Sequence, residues 1–252
     1  MSGYGTLAAF YDRLMADIDY GERADYALAL MARHGWPRPE TLLDLACGSG
    51  NLTMALAERG VDMIGVDASP DMLAKAQAKQ PPDGGILYLQ QDMRQLDLYG
   101  TVSGAVCALD GLNHLCRTDE LAQVFERLAL FIEPGGLLIF DVNTPYKHRH
   151  VLGDNAFVFE EEDFFCVWRN RLLSRTCEVD MQLDFFVEGP AGYHRLTDRV
   201  RERAYALSTW ERLLKQAGFE LLGVYGDLSM QAPAPQEERL VIVACNRKEQ
   251  GT

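Results

Sequence analysis

Asp44, Ala46, Gly48 and Gly50, followed by Asp67, have a spacing that can hold a nucleoside. The apolar run Leu42–Leu45 enters the turn Ala46-Cys47-Gly48-Ser49-Gly50. There, glycines let the backbone bend and approach a ligand without a Cβ in the way. A helix from about residue 51 to 59 then points its first N–H groups at whatever fills the turn. The second apolar run, Met63–Val66, ends in Asp67, and an acid at the tip of such a strand can accept hydrogen bonds from a ribose diol. The pattern predicts an adenosine-bearing ligand. Asp44 can receive an α-ammonium but would repel a pyrophosphate. Thr53 stands where a dinucleotide fingerprint has its third glycine, which weakens the reading of a nicotinamide-dependent oxidoreductase.

Groups able to move a proton or orient an acceptor cluster after two later strands. His114, an imidazole able to take and give a proton, follows the fourth strand and is the leading catalytic candidate. Asn113 and Asp110 either orient substrate or shape the turn, and Tyr146 is a candidate lid residue. The run Lys147-His148-Arg149-His150 reads as a solvated face rather than an anion site. Asp110, Asp141 and Asn143 offer oxygen ligands, but nothing else supports a metal, and none is expected. Phe157, Phe159, Phe164 and Trp168 read as core. Glu160-Glu161-Glu162-Asp163 reads as an exposed turn.

Alternating patterns from about 24 to 142 must position these groups, and they predict helices layered on a parallel sheet. A helix over 24–34 precedes the first strand. A strand over 62–66 leads to Ser69-Pro70, an N-cap with proline at the first helical position. Pro81-Pro82-Asp83-Gly84-Gly85 is a loop before a third strand, 86–89, and 105–109 is a fourth. Thr118 is the expected cap of the next helix, Pro134-Gly135-Gly136 its stop, and 137–140 the fifth strand. Residues of about 155–206 alternate as antiparallel strands, with a turn at Glu188-Gly189-Pro190-Ala191-Gly192. Ser208-Thr209-Trp210-Glu211 reads as a capping box for a helix ending at Gly218. Two strands, 219–224 and 240–245, close the chain as an antiparallel pair.

The 252 residues, 48% of them hydrophobic, are enough for one domain with an insertion. A net charge of −13 argues against a dedicated nucleic-acid binder and against anionic membrane surfaces. No apolar stretch approaches the roughly 20 residues of a membrane span, and Met1-Ser2-Gly3-Tyr4 has no signal-like flank. Six cysteines lack zinc-like spacing, which fits a reduced cytoplasm.

Four segments occur in order: Asp44 to Gly50; Gly65-Val66-Asp67-Ala68-Ser69 with Met72 and Leu73; Gln91-Asp92-Met93-Arg94; and Pro134-Gly135-Gly136. Together they resemble the successive motifs of class I S-adenosylmethionine-dependent methyltransferases. Phe10-Tyr11-Asp12, the segment Asp110–Leu115, the segment Asp141–Lys147 and the inserted strands are similar to a bacterial branch near sugar-amine and glycine N-methyltransferases. The resemblance implies an α/β, Rossmann-like seven-stranded sheet with helices on both faces and a reversed last strand. It also implies an antiparallel β insertion after strand five.

Its implied organisation is a helical cap and cofactor core over 1–145, an insertion over 146–206 serving as lid or dimer surface, and a closing segment over 207–252. The implied cofactor is S-adenosylmethionine and the implied partner a small-molecule acceptor, methylated at nitrogen or oxygen. Gly48 and Gly50 would approach the methionine part, Asp44 its ammonium and Asp67 the ribose. Asp92 and the Met93 N–H would read adenine, with Ala68 and Met72 flanking it. Leu109 would lie beside the cofactor, and Tyr11 and Tyr20 would cover its methionine end. Ala46 replaces a glycine frequent in the family, with little consequence expected. A non-catalytic module that binds the cofactor is the other alternative.

Overall fold

The computed structural model describes residues 5–80, 84–190 and 192–247. The N-terminal tetrapeptide, Pro81–Asp83 of the expected loop and Ala191 of the expected turn lie outside the described residues. Two helices, Gly5–Leu14 (α1) and Tyr20–Arg33 (α2), lead into the strand Thr41–Leu45 (β1). There follow Asn51–Ala57 (α3), Asp62–Asp67 (β2), Pro70–Lys79 (α4), Leu87–Gln90 (β3), Val102–Cys107 (β4), Thr118–Phe131 (α5) and Ile132–Asn143 (β5). A short turn, Pro145–Lys147 (α6), widens into a π-type turn over His148–Leu152. Four strands, Ala156–Glu160 (β6), Phe164–Leu173 (β7), Glu178–Gly189 (β8) and Gly192–Arg203 (β9), come next. Leu207–Ala217 (α7), Phe219–Gly226 (β10) and Arg239–Asn246 (β11) complete the chain.

The main sheet has seven strands in the order β10-β11-β5-β4-β1-β2-β3. β1 to β5 run parallel, while β11 is antiparallel to both β5 and β10. Strand alternation sends Leu43 and Leu45 to a core with Phe125 and Leu128 of α5 and Trp210 of α7. Leu42 and Val106 face the other way, onto Leu30 of α2 and Leu56 of α3. Both faces are therefore covered, as a parallel sheet requires.

The inserted segment forms a separate sheet, β6-β7-β8-β9, antiparallel throughout. Its inner face packs on α1, where Phe10 stacks on Phe185 at 4.8 Å between centroids. Arg13 of α1 also pairs with Asp163 at 2.5 Å and Glu161 at 3.4 Å. The expected exposed acidic turn is thus a fastening point for α1.

Local starts and stops depart from expectation where a neighbour overrides the local signal. Ser69 caps α4 as expected, accepting from Met72 N at 3.3 Å. In α5, Arg117 occupies the cap position and Thr118 is the first helical residue. Asp119 and Glu120 in the first turn, rather than a side-chain cap, complement the helix N-terminus. α7 starts at Leu207 behind Ala206, so Ser208 falls inside the first turn and the capping box does not form. Tyr205, just upstream, is anchored by its hydroxyl donating to Leu115 O at 2.7 Å.

α5 ends at Phe131, before the proline, and the chain joins the sheet at once. Pro134-Gly135-Gly136 is the irregularity in β5 between the pairs Val102↔Ile132 and Gly104↔Leu137. β4 ends at Cys107, not Leu109, because Leu109 and Asp110 adopt left-handed φ values of 55° and 59°.

Ala46 is also left-handed, with φ of 59°. The alanine therefore matters more than its small Cβ suggests, since this region costs an L-residue about 1–2 kcal/mol and glycine nothing. Ala46→Gly will raise the unfolding free energy by about 1 kcal/mol, after glycine's greater unfolded-state entropy is subtracted. An unchanged urea midpoint would show that the turn stores no strain.

Candidate active site

A cavity of about 530 Å³ opens where the carboxyl ends of β1, β2 and β4 meet α1 and the inner face of the inserted sheet. This is the crevice in which open α/β sheets place ligands. Of the sequence-predicted residues, Tyr11, Tyr20, Asp44, Ala46, Gly48, Asp67, Ala68, Met72, Asp92, Met93, Leu109 and His114 all line it.

Three predicted residues are not among its lining. Gly50 caps α3 with φ of 77°, and a Cβ there would lie 2.4 Å from Tyr88 Oη and 2.8 Å from Ala76 Cβ. Glycine is required at that position for packing. Asn113 is fully buried: its Nδ2 donates to Arg203 O at 2.8 Å and Asn143 O at 3.3 Å, and its Oδ1 accepts from Asn143 N at 2.9 Å. It ties the Gly111–His114 turn to β5 and β9. Tyr146 packs against His150 with the rings tilted and their centroids 4.8 Å apart, and it is not part of the cavity lining.

The β1 turn and β2 tip are held by carboxylates. Asp67 accepts from Gly48 N at 2.9 Å and Ser69 N at 2.8 Å. Burial raises the pKa of Asp67, and these two N–H groups oppose the shift. Asp44 is buried, and Thr53 donates its hydroxyl to Asp44 Oδ2 at 2.6 Å. Thr53, which breaks the dinucleotide pattern, thus orients the acid in front of it. Burial pushes the Asp44 carboxyl up to about 7, against the Thr53 hydrogen bond. A cation arriving beside Asp44 would reverse that shift.

α1 closes over this floor through Asp12. Its carboxylate accepts from Ser49 Oγ at 2.5 Å and Asn51 Nδ2 at 3.1 Å, and it pairs with Lys79 Nζ at 2.8 Å. The latch sets Tyr11 over the cavity, where burial drives its phenol pKa far up, reinforced by Tyr20, Asp110 and Asp67. At the other rim, Arg94 grips Asp92 through Nε at 2.9 Å and Nη2 at 2.5 Å and reaches Glu120 at 2.6 Å. These Arg94 hydrogen bonds lower the pKa of Asp92.

The far end holds groups that sequence reasoning missed. Arg239 of β11 pairs with Asp110 at 2.5 Å and with Asp141. Asp141 also accepts from Leu109 N at 2.8 Å and Asp110 N at 2.7 Å, which fixes the left-handed turn. A guanidinium therefore occupies the place between Asp110 and Asp141 that suggested oxygen ligation of a metal.

Lys147 lines the cavity instead of facing solvent, and burial lowers its pKa. His148 is wholly buried while Arg149 and His150 are exposed, so only the second half of the basic run is a solvated face. Glu202 of β9 is 4% exposed, and its carboxylate lies with those of Asp110 and the His114 ring so that one ligand atom from each falls within 4.8 Å of the others. Phe159 and Trp168 line the cavity as well. No local signal marks Arg239 or Glu202, because strand pairing distant in sequence brings them here.

These residues fit an adenosine bearing a cationic tail. Carboxylates stand at the tips of two strands, and Tyr11 and Tyr20 line the same cavity. Residues 42–136 match the family model described as a methyltransferase domain. The Bacillus subtilis (strain 168) protein named "Putative methyltransferase YqeM" is 32% identical over 97% of this chain and 98% of its own length. A crystal structure of an S-adenosylmethionine-dependent methyltransferase from Clostridium acetobutylicum ATCC 824 is 30% identical. It has a TM-score of 0.85 and covers 96% of this chain and 98% of that one. A dTDP-3-amino-3,6-dideoxy-α-D-glucopyranose N,N-dimethyltransferase of Streptomyces fradiae is 32% identical over 54% of this chain and 53% of its own. Neither an oxidoreductase nor a non-catalytic module is favoured by these likenesses. The chain belongs to the S-adenosylmethionine-dependent methyltransferases, and S-adenosylmethionine is its cofactor.

Proposed function

We propose that the protein methylates a nitrogen of a small molecule. The observation that carries this reading is the convergence of Asp110, His114 and Glu202 at the cavity's far end. The partial relative from Streptomyces fradiae acts, by its name, on a sugar amine. When bound, S-adenosylmethionine supplies an electrophilic methyl group on a sulfonium.

The chain's work is then alignment and exclusion of water. Asp67 receives the ribose diol, Asp44 the α-ammonium, and Gly48 the close approach of the methionine backbone. Asp92, the Met93 N–H, Ala68 and Met72 surround adenine, while Ala46 and Leu109 floor the site. Tyr11 and Tyr20 roof the sulfonium. The acceptor nitrogen must present a lone pair, so a proton has to leave it, and His114 is positioned to take that proton. Asn113 serves by fixing the His114 turn, and Tyr146 has no part in the chemistry.

The test is incubation with methyl-labelled cofactor and a bacterial metabolite extract. A labelled small product is expected. His114→Ala should lower its rate of formation by about 100-fold with cofactor affinity unchanged in calorimetry. Tight cofactor binding without any labelled product would defeat the reading.

A further inference from the structure

Beyond the nucleoside site, the cavity has a polar corner and an apolar wall. At the polar corner, Asp110, Glu202, Arg239 and Lys147 line the cavity, with Asp141 behind Arg239. Of these carboxylates, Glu202 is the one that Arg239 does not engage. Asp110 and Asp141 are both engaged by Arg239. Lys147 does not pair with Glu202 directly, because Asn143 stands between them. Lys147 Nζ donates to Asn143 Oδ1 at 2.9 Å, and Asn143 Nδ2 donates to Glu202 Oε2 at 3.0 Å.

The same Oε2 is 3.6 Å from His148 Nε2, and His148 Nδ1 lies 3.1 Å from Cys177 O. A carbonyl can only accept, so Nδ1 carries a proton and the ring is fixed in orientation behind the carboxylate. Glu202 is thus a buried acid oriented from one side, and burying such a charge is costly unless a cation or hydrogen-bond donor meets it.

The wall supplied by the inserted sheet is apolar. Among the described residues, the inserted sheet contributes Phe159, Trp168, Met181, Leu183 and Val200 to the wall, and Glu202 is its one polar contribution. The Trp168 indole N–H is spent on Asn170 Oδ1 at 2.5 Å. A sugar seated here would have to bury hydroxyls against hydrocarbon, a loss for each unpaired group. A bare amino acid would leave the wall unfilled.

We propose that the methyl acceptor is an amphiphilic amine, whose ammonium head meets Glu202 and Asp110 and whose apolar body lies along the inner face of the inserted sheet. This rests on the amine-methylation reading above. The acceptor nitrogen gives one proton to His114 and attacks the methyl carbon. The carbon–sulfur bond breaks with its electron pair going to sulfur, and the product leaves as a methylated ammonium.

The test takes labelled product from wild-type protein, methyl-labelled cofactor and metabolite extract, and partitions it into butanol. Label extracted from alkali but not from acid is the expected result. Label left in water under both conditions, as for a sugar or amino acid, overturns the proposal. So does label extracted from acid, which would mark an acidic or neutral acceptor. No label in any product sinks the methylation reading itself, a separate outcome. With the purified acceptor, Glu202→Gln should cut kcat/KM by about 10- to 100-fold, mainly through KM. Cofactor affinity, which reports an intact fold, should hold. Unaltered KM in that variant would also overturn the proposal.

Discussion

Arg239→Met will lower the unfolding free energy by about 3–5 kcal/mol, the cost of leaving buried carboxylates without their cation. The side chain is 11% exposed and meets Asp110 at 18% and Asp141 at 5% exposure, so solvent screens the pairs little. Methionine fills the volume but returns no charge. Lysine at the same place, a point charge on a flexible stem, cannot bridge both acids as the planar fork does, and Arg239→Lys should fall between wild type and methionine.

The acid limb gives an independent reading. Burial alone would raise the Asp110 carboxyl, but the Arg239 charge, with Lys147 and His114, overrides it and holds the pKa at about 2. A carboxyl lowered in the folded state contributes stability that is present above its unfolded pKa and is lost as pH falls through about 2. In Arg239→Met that contribution disappears, and burial raises Asp110 instead. The variant should lose stability at neutral pH and recover part of it as Asp110 protonates, the reverse of the wild-type slope. Urea titrations across the acid range measure this. Parallel curves for the two proteins would show that Arg239 does not set the charge state of Asp110.

How legible the site was depended on where each constraint originates. The β1 turn, the β2 acid and the Ser69-Pro70 helix start could be read because a few neighbouring residues decide them. Ala46 was misjudged, since its cost lies in φ rather than in volume. Gly50 lies outside the cavity lining, and the need for glycine there comes from Tyr88, a contact made across β2 and β3 that spacing does not reveal. The basic run 147–150 read as solvated because charge runs usually are. Here a π-type turn sends Lys147 to the cavity and His148 into the interior. Glu202 and Arg239 lie some sixty and one hundred residues beyond β5's end, and only sheet assembly carries them to Asp110. The polar end of the site is therefore a tertiary product, whereas the nucleoside end is nearly a local one.

That difference makes Asp67 the sharpest single test of the cofactor assignment. Two backbone N–H groups, from Gly48 and Ser69, fix its carboxylate at 2.9 and 2.8 Å. A carboxylate has about four lone-pair sites, so both oxygens can still receive a diol while held by the loop. Asp67→Ala removes the ligand contacts and the loop fastening together. Charged hydrogen bonds of about 1.5–3 kcal/mol each predict a loss of cofactor affinity of about 100-fold or more. Asp67→Asn keeps one acceptor oxygen for the loop but turns its other atom into a donor, which competes poorly for hydroxyl protons. If Asp67 binds the diol, asparagine should restore the melting temperature more fully than it restores affinity. If the acid only fastens the turn, the two quantities should recover together. Calorimetric titration with the demethylated cofactor beside thermal melts of both variants separates these cases, and wild-type affinity in Asp67→Ala would remove the ribose assignment altogether.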